Sequence, residues 1–147
     1  MTSEFNVRRA EIQDAKKIFQ FLCELENKTF NYQEFYLNYR NTIFDTNNIY
    51  LVAADQDNYI VGYISCHGQI LLHHNGMVFE VQELFVETPY RKQGIGTMLI
   101  KALETQLAKR EFQCLEVTAN VQRKETHDFY LKNGFEQTHY KFTRMRN

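Results

Sequence analysis

The sequence predicts an α+β sandwich built around one mixed β-sheet. Short segments rich in β-branched and aromatic residues predict strands, and stripes of apolar residues at helical spacing predict helices between them. The dipeptide Asn75-Gly76 is a strong hairpin signal, which makes the strands on either side of it antiparallel. Along the chain, these segments give the order β-α-α-β-β-β-α-β-α-β.

The first half of the chain holds a short strand, two helices and two longer strands. Their expected bounds are residues 5–9, 11–26, 32–44, 49–54 and 59–72. The second helix is rich in aromatic residues, which suit either a core or a substrate pocket. Phe35 and Leu37 are assigned to the core, while both roles stay open for Tyr36 and Tyr39.

The predicted hairpin places polar side chains on one face of the sheet. With Asn75 and Gly76 as the two turn residues, Leu71 faces Glu80 on the next strand. The polar residues that then share a face are His67, Gln69, His73, Glu80 and Gln82.

A strand, a glycine-bearing turn and a helix start follow one another within residues 80–97. Gly94 and Gly96 allow the backbone to approach a ligand closely. Unpaired amides and the positive end of the helix dipole favour an anion at this point, and Arg91 and Lys92 add positive charge. The alternative is a turn that only connects the strand to the helix.

After this helix, which begins at Ile95, the chain alternates again. Residues 114–119 predict a strand with Asn120 at its end, and residues 124–132 predict a helix that stops at Asn133-Gly134. Residues 135–143 predict the last strand.

Composition excludes several classes of protein. A chain of 147 residues is expected to be one domain over residues 1–147, and 44% hydrophobic with 24% charged residues is typical of globular proteins. No apolar run is long enough to cross a bilayer, and the first residues lack the apolar core of a signal peptide, so we expect a cytoplasmic protein with no membrane partner. The three cysteines are expected to be reduced and buried. The formal net charge of −1 gives no reason to expect nucleic acid as a partner.

The glycine turn matches neither common nucleotide-binding fingerprint, because the chain has no G-x-x-x-x-G-K-[ST] string and Leu99 stands where a Rossmann turn has its third glycine. Residues 91–96 resemble the acyl-CoA pyrophosphate loop of the GNAT N-acetyltransferases, [R/Q]-x-x-G-x-[G/A]. Asn120 and the string H-D-F-Y-L-K-N-G-F at residues 127–135 are similar to a second family motif, N…A-x-x-x-Y-x-x-x-G-F. Pro89 stands one place later than in many members.

This resemblance covers almost the whole chain, and it implies the GNAT fold and cosubstrate. The expected sheet is mixed and mostly antiparallel, with helices on both faces. The cosubstrate is acetyl-CoA. Many members of the family pair through sheet edges, so a homodimer stays open beside the monomer.

The resemblance also implies roles for individual residues. Glu80 aligns with the strand carboxylate that is the general base in many members, and Glu83 is the second candidate. Tyr130 matches the tyrosine that protonates the departing thiolate, since a phenol with its ordinary pKa of about 10 carries a proton at neutral pH. The structural alternatives are an exposed strand glutamate and a core aromatic residue.

The expected cofactor contacts lie in the same stretch of chain. Backbone groups of Leu84 and Val86 pair with the pantetheine arm, Asn120 contacts that arm, and the amide of Leu84 or Phe85 stabilises the oxyanion. The residues expected to hold the pyrophosphate are Arg91, Lys92, Gln93, Gly94, Ile95, Gly96 and Thr97.

Local strings such as Gln82-Glu83-Leu84 are similar to one branch of the family, the aminoalkylphosphonate N-acetyltransferases. The expected substrate is therefore a small amine such as 2-aminoethylphosphonate. The branch is associated with a divalent metal, for which His67, His73 and Glu80 are a suitable ligand set if they converge. Candidate phosphonate partners, each equally a solvated surface charge, are Arg40, Arg123, Lys124 and His139. The alternatives are another small amine such as a polyamine or an aminoglycoside, a protein amine, or a non-catalytic acyl-CoA-binding module.

Overall fold

The computed structural model describes residues 4–146, and the expected α+β class is confirmed. One five-stranded sheet has the order β1-β2-β3-β4-β5. Neighbouring strands are antiparallel except β4 and β5, which are parallel. The strands are β1 Asn6–Arg9, β2 Asn48–Ala54, β3 Ile60–Leu71, β4 Gly76–Val86 and β5 Cys114–Val117. The helices are α1 Ala15–Glu26, α2 Tyr32–Ile43, α3 Ile95–Leu107 and α4 Lys124–Lys132.

Helices cover both faces of the sheet, and each face has its own hydrophobic cluster. On one face, the fully buried Leu99 and Leu103 of α3 pack against the sheet, and Tyr130 of α4 joins them. On the other face, Ile18 and Phe21 of α1 pack with residues of α2. Every residue of β2 is buried, which explains why its sequence is almost continuously apolar instead of alternating. Within residues 4–146, no helix is long and apolar enough to cross a membrane.

The predicted last strand over residues 135–143 is wrong. No regular secondary structure follows α4 as far as residue 146, and Tyr140 and Phe142 are 79% and 92% exposed. The segment contains residues that favour strands, but this preference decides little without a partner strand to pair with. Phe135 instead turns back against α4, where its amide donates to the carbonyl of Tyr130 at 3.0 Å. The outer edge of β5 thus has no strand partner in the described part of the chain.

The hairpin between β3 and β4 also differs from the prediction. Leu71 pairs with Gly76, and the connection is a 3-10 turn that ends at Asn75 in the left-handed region, with φ 53°. Asparagine adopts this conformation more readily than most residues, so one left-handed residue closes the turn and Gly76 begins the next strand. As a consequence, His67 lies directly opposite Glu80.

Candidate active site

One edge of β4 is open, because β4 extends beyond its contact with β5. Strand β5 pairs only with residues 78–81 of β4, and the rest of β4 pairs with β3 alone. The Glu87 amide donates to the carbonyl of Val61 at 2.8 Å. Since alternate residues of an antiparallel strand bond to the same neighbour, the backbone groups of Leu84 and Val86 point away from β3. They face the open edge, where no described residue forms a strand.

The turn between β4 and α3 presents unpaired amides to open space. Lys92 and Gly94 have left-handed φ values of 63° and 83°. From residue 92 to residue 97, no amide donates to another group within residues 4–146, whereas the Met98 amide donates to the carbonyl of Gly94 at 3.0 Å. A Cβ on Gly94 would meet no atom within 4 Å. Successive free amides at a helix N-terminus form a concave site suited to phosphate.

Two contacts hold this turn in place. The Nε atom of Arg91 donates to the carbonyl of Val86 at 2.7 Å, and the guanidinium carbon lies 5.3 Å from the centre of the Phe85 ring. A Cβ on Gly96 would lie 3.0 Å from the ring of Phe129, so α4 approaches the first turn of α3 as closely as a glycine permits. The turn is therefore fixed by β4 on one side and by α4 on the other.

Tyr130 offers a phenol that keeps its proton. Its side chain is 8% exposed, and its ring makes edge contacts with Phe129 and Phe135 at 5.4 and 5.5 Å between centroids. Burial raises the pKa of Tyr130 to about 12, while the charge of Arg123 lowers it. The Tyr130 hydroxyl has no hydrogen-bond partner in the described chain. Since every fully buried side-chain nitrogen and oxygen there does have a partner, this hydroxyl is not fully buried and solvent reaches it. It is free to donate to a ligand.

Glu83 lies in a half-buried polar pocket on the sheet face that α1 and α2 cover. A β-bulge at Gln82 places Glu83 opposite Ser65. The buried hydroxyl of Ser65 donates to the carboxylate of Glu83 and accepts the Glu83 amide at 3.1 Å. Burial raises the pKa of Glu83 above its usual value, and the hydrogen bond from Ser65 and the charge of His67 oppose that rise. The result is a carboxylate that binds a proton more readily than an exposed glutamate does.

A chain of hydrogen bonds orients His67 beside this pocket. The hydroxyl of Thr42 donates to the carbonyl of Asn38 at 2.9 Å, so it acts as acceptor for the hydroxyl of Tyr50, also at 2.9 Å. The Tyr50 oxygen then accepts from Nε2 of His67 at 2.8 Å. A neutral His67 in this network carries its proton on Nε2 and has an unprotonated Nδ1.

Glu80, the first candidate for the base, has different surroundings. Its carboxylate accepts from the hydroxyl of Thr118 at 3.1 Å and from the side-chain amide of Gln82 at 3.2 Å. Its neighbours across the sheet are His67 on β3 and Glu116 on β5. Both of its oxygens therefore accept from side chains that are themselves half-buried or exposed, whereas the Glu83 carboxylate accepts from the fully buried hydroxyl of Ser65.

The predicted metal ligands do not converge. The Nε2 atom of His67 is held by Tyr50, and His73 lies exposed in the hairpin turn instead of on the sheet. Within residues 4–146, these two residues and Glu80 do not form a group of three whose ligand atoms all lie within 4.8 Å of one another. No step of the reaction is therefore assigned to a metal.

The loop between β5 and α4 leads into the helix that carries Tyr130. The side chain of Asn120 accepts the Gln122 amide at 2.9 Å, which shapes the loop, and its side-chain NH2 makes no hydrogen bond to a described residue. Arg123 donates from Nη2 to the carbonyl of Leu25 at 2.9 Å, which joins the start of α4 to the end of α1. All four predicted phosphonate partners, Arg40, Arg123, Lys124 and His139, are exposed, and of these Arg123 is held by the hydrogen bond to Leu25.

Comparison with known proteins decides the family. The sequence profile described as "Acetyltransferase (GNAT) domain" matches residues 14–145. The chain belongs to the GNAT acetyltransferase family. This GNAT protein is 33% identical over 138 residues to the aminoalkylphosphonate N-acetyltransferase of Salmonella typhimurium, and the match covers 94% of this chain and 89% of the relative. The expected enzyme class, an N-acetyltransferase with acetyl-CoA as cosubstrate, is confirmed.

Solved structures confirm the fold. A transcriptional regulator from Bacillus halodurans superposes with a TM-score of 0.88 at 19% identity, covering 97% of this GNAT chain and 99% of the regulator. The aminoglycoside 6'-N-acetyltransferase of Acinetobacter baumannii superposes with a TM-score of 0.83 at 16% identity, covering 97% and 98% of the two chains. At these identities the likeness concerns the fold alone.

Proposed function

We propose that this GNAT protein acetylates the primary amine of a small aminoalkylphosphonate such as 2-aminoethylphosphonate. The observation that supports this substrate class is the 33% identity, over nearly the whole chain, to a relative named for it. A phosphonate needs a cation as partner, and Arg123 is our candidate because it stands at the start of α4, the helix that carries Tyr130, and is held there by its hydrogen bond to the Leu25 carbonyl. Arg suits a tetrahedral oxyanion through its several N–H donors.

Acetyl-CoA binds, in this proposal, along the open edge of β4. The free amides of residues 92–97 hold the pyrophosphate, and the backbone of Leu84 and Val86 pairs with the pantetheine arm as an added strand would. Asn120 contacts the same arm through its side-chain NH2. The Phe85 amide faces β3, so the Leu84 amide is the donor that stabilises the oxyanion.

Acyl transfer then needs one proton acceptor and one proton donor. The amine nitrogen attacks the thioester carbonyl, the C–N bond forms, and the C–S bond breaks as the tetrahedral intermediate collapses. Glu83 accepts the amine proton, directly or through water, since burial raises its pKa toward the working pH. Tyr130 donates the proton that the departing thiolate takes up. Glu80, the first candidate from sequence, is the alternative base, because it lies on the same pair of strands.

An amine panel tests the substrate class. Turnover is followed as thiol release from acetyl-CoA with 2-aminoethylphosphonate, ethanolamine, spermidine and an aminoglycoside as acceptors. We expect the phosphonate to have the highest kcat/KM, and ethanolamine, which has the amine but no phosphonate, to be at least roughly 100-fold poorer because about 3 kcal/mol of charge-assisted binding is lost. Turnover of another amine without any turnover of aminoalkylphosphonates would refute the substrate class and leave the enzyme class intact.

A matched pair of variants tests the base. We expect Glu83→Gln to lower kcat by about 10² or more and to remove the acidic limb of the pH–rate profile, because the amide cannot accept the proton. Glu80→Gln keeps the hydrogen bond from Thr118 and should change kcat much less. The opposite ranking of the two variants would assign the base to Glu80.

A further inference from the structure

A separate group of side chains converges at the start of β5, away from the open edge of β4. His74 lies in the hairpin turn, Cys114 is the first residue of β5, and Glu116 lies two residues further along, on the same side of that strand. One imidazole nitrogen, the thiol sulfur and one carboxylate oxygen all lie within 4.8 Å of one another. The three side chains are half-buried, and none takes part in the proposed acyl transfer.

The spacing of these atoms fits a metal centre. The Nδ1 atom of His74 lies 3.7 Å from the Sγ atom of Cys114. Two ligands of a tetrahedral zinc ion, with Zn–S of about 2.3 Å and Zn–N of about 2.0 Å, stand about 3.5 Å apart. The imidazole and the thiol therefore already have the separation that a shared ion requires.

The backbone holds these side chains together without any ion. Cys114 lies opposite Val78 in the parallel pairing of β4 and β5, and the Gln113 amide donates to the carbonyl of Met77 at 2.8 Å. In the hairpin turn, the Asn75 amide donates to the carbonyl of Leu72 at 3.0 Å, which fixes the backbone around His74. A site that is already formed loses little conformational entropy when the ion binds.

The donor set selects the class of ion. Thiolate and imidazole ligands favour Zn²⁺ and similar borderline-soft cations, whereas Mg²⁺ and Ca²⁺ prefer oxygen ligands alone. Three protein ligands leave the fourth tetrahedral position to water or to an added ligand. We propose that His74, Cys114 and Glu116 form a binding site for a zinc-class divalent cation.

Such an ion links the hairpin turn to β5. This strand is short, and its outer edge has no strand partner in the described chain. The ion therefore stabilises the pairing of β4 with β5, whose end defines the open edge of the active site. Glu116 also lies opposite Glu80, so the proposed metal site adjoins the polar face of the sheet. It uses none of the metal ligands predicted from sequence, which were His67, His73 and Glu80.

Cobalt binding tests the site directly on the untagged, full-length chain. Titration of the reduced, metal-free protein with Co²⁺ should give one equivalent bound and a sulfur-to-cobalt charge-transfer band, and Zn²⁺ should displace it. Cys114→Ser should abolish the band, while Cys23→Ser, which removes a half-buried cysteine elsewhere, should keep it. His74→Ala and Glu116→Gln should weaken Zn²⁺ binding by roughly 100-fold, since even outer partners of a metal ligand are worth 10–100-fold.

The neighbouring His73 provides the matched control, because it is exposed and lies beside His74. His73→Ala should bind Co²⁺ as the wild type does, and Zn²⁺ should raise the Tm of the wild type and of this variant, but not that of Cys114→Ser. Absence of a thiolate band in the folded wild type would overturn the proposal and leave a thiol–imidazole hydrogen bond as the account of the contact. A band that persists in Cys114→Ser, or equal loss of binding in His73→Ala, would overturn it as well.

Discussion

The substitution Gly94→Ala separates the conformational role of this glycine from its role in ligand binding. Gly94 has φ 83°, a region where a side chain costs about 1 kcal/mol, and a Cβ there would meet no atom within 4 Å. The expected loss of stability is therefore about 1 kcal/mol, or a Tm lower by about 2–4 °C. The added methyl group points into the space that the proposed pyrophosphate occupies. If it removes one charge-assisted hydrogen bond, worth about 1.5–3 kcal/mol, the KM for acetyl-CoA rises roughly 10- to 100-fold.

Gly134→Ala is the matched control for this experiment. Gly134 has φ 90° and also borders open space, so its conversion to alanine should cost the same stability. It follows α4 and is not part of the turn, so the KM for acetyl-CoA should change little. The assay is thermal unfolding of both variants, together with steady-state kinetics in which acetyl-CoA is varied. Equal losses of stability with an unchanged KM in Gly94→Ala would refute the assignment of the turn to the pyrophosphate.

Three further predictions follow from the same structure. Because burial raises the pKa of folded Glu83, the stability contributed by its protonated carboxyl is present below the ordinary glutamate pKa of about 4.3 and is lost as pH rises through the folded pKa. In urea unfolding, Glu83→Gln should therefore be more stable than the wild type at pH 7 and equally stable at pH 4. Tyr130→Phe should lower kcat by roughly 10² with little change in the KM for acetyl-CoA. Because the pKa of Tyr130 is about 12, any basic limb of the pH–rate profile below pH 10 belongs to another group and should persist in this variant. Gly96→Val should lower the free energy of unfolding, measured by thermal unfolding, by about 2 kcal/mol, because the valine side chain meets the Phe129 ring. Phe129→Ala should relieve part of that loss in the double variant, and additive losses would contradict the contact.

Most of the fold could be predicted because its signals are local. The apolar run of β2, the stripes of α1 and α3, and the Asn31 cap of α2, whose side chain accepts the Glu34 amide at 2.9 Å, are each contained in a few consecutive residues. The glycine turn belongs to this class as well. Its left-handed glycine and its free amides follow from residue type and from the position just before a helix.

The details of the site depended on register, which local sequence does not determine. A two-residue turn and a longer turn are both compatible with Asn75-Gly76, and only the pairing of β3 with β4 places His67 opposite Glu80. The bulge at Gln82 has no signal of its own, yet it places Glu83 beside Ser65. The one signal for this pocket was Ser65 itself, a polar residue within the apolar run of β3.

The sequence by itself determined the class of fold, the family and the glycine turn that we propose for the cosubstrate, because these rest on residue types at fixed short spacings. The tertiary structure decided which carboxylate meets the buried Ser65 hydroxyl, that residues 135–143 do not join the sheet, and that His74 meets Cys114 and Glu116. These outcomes involve residues far apart in the chain. Strand pairing and burial set their distances and proton affinities, and neither is a property of any short segment.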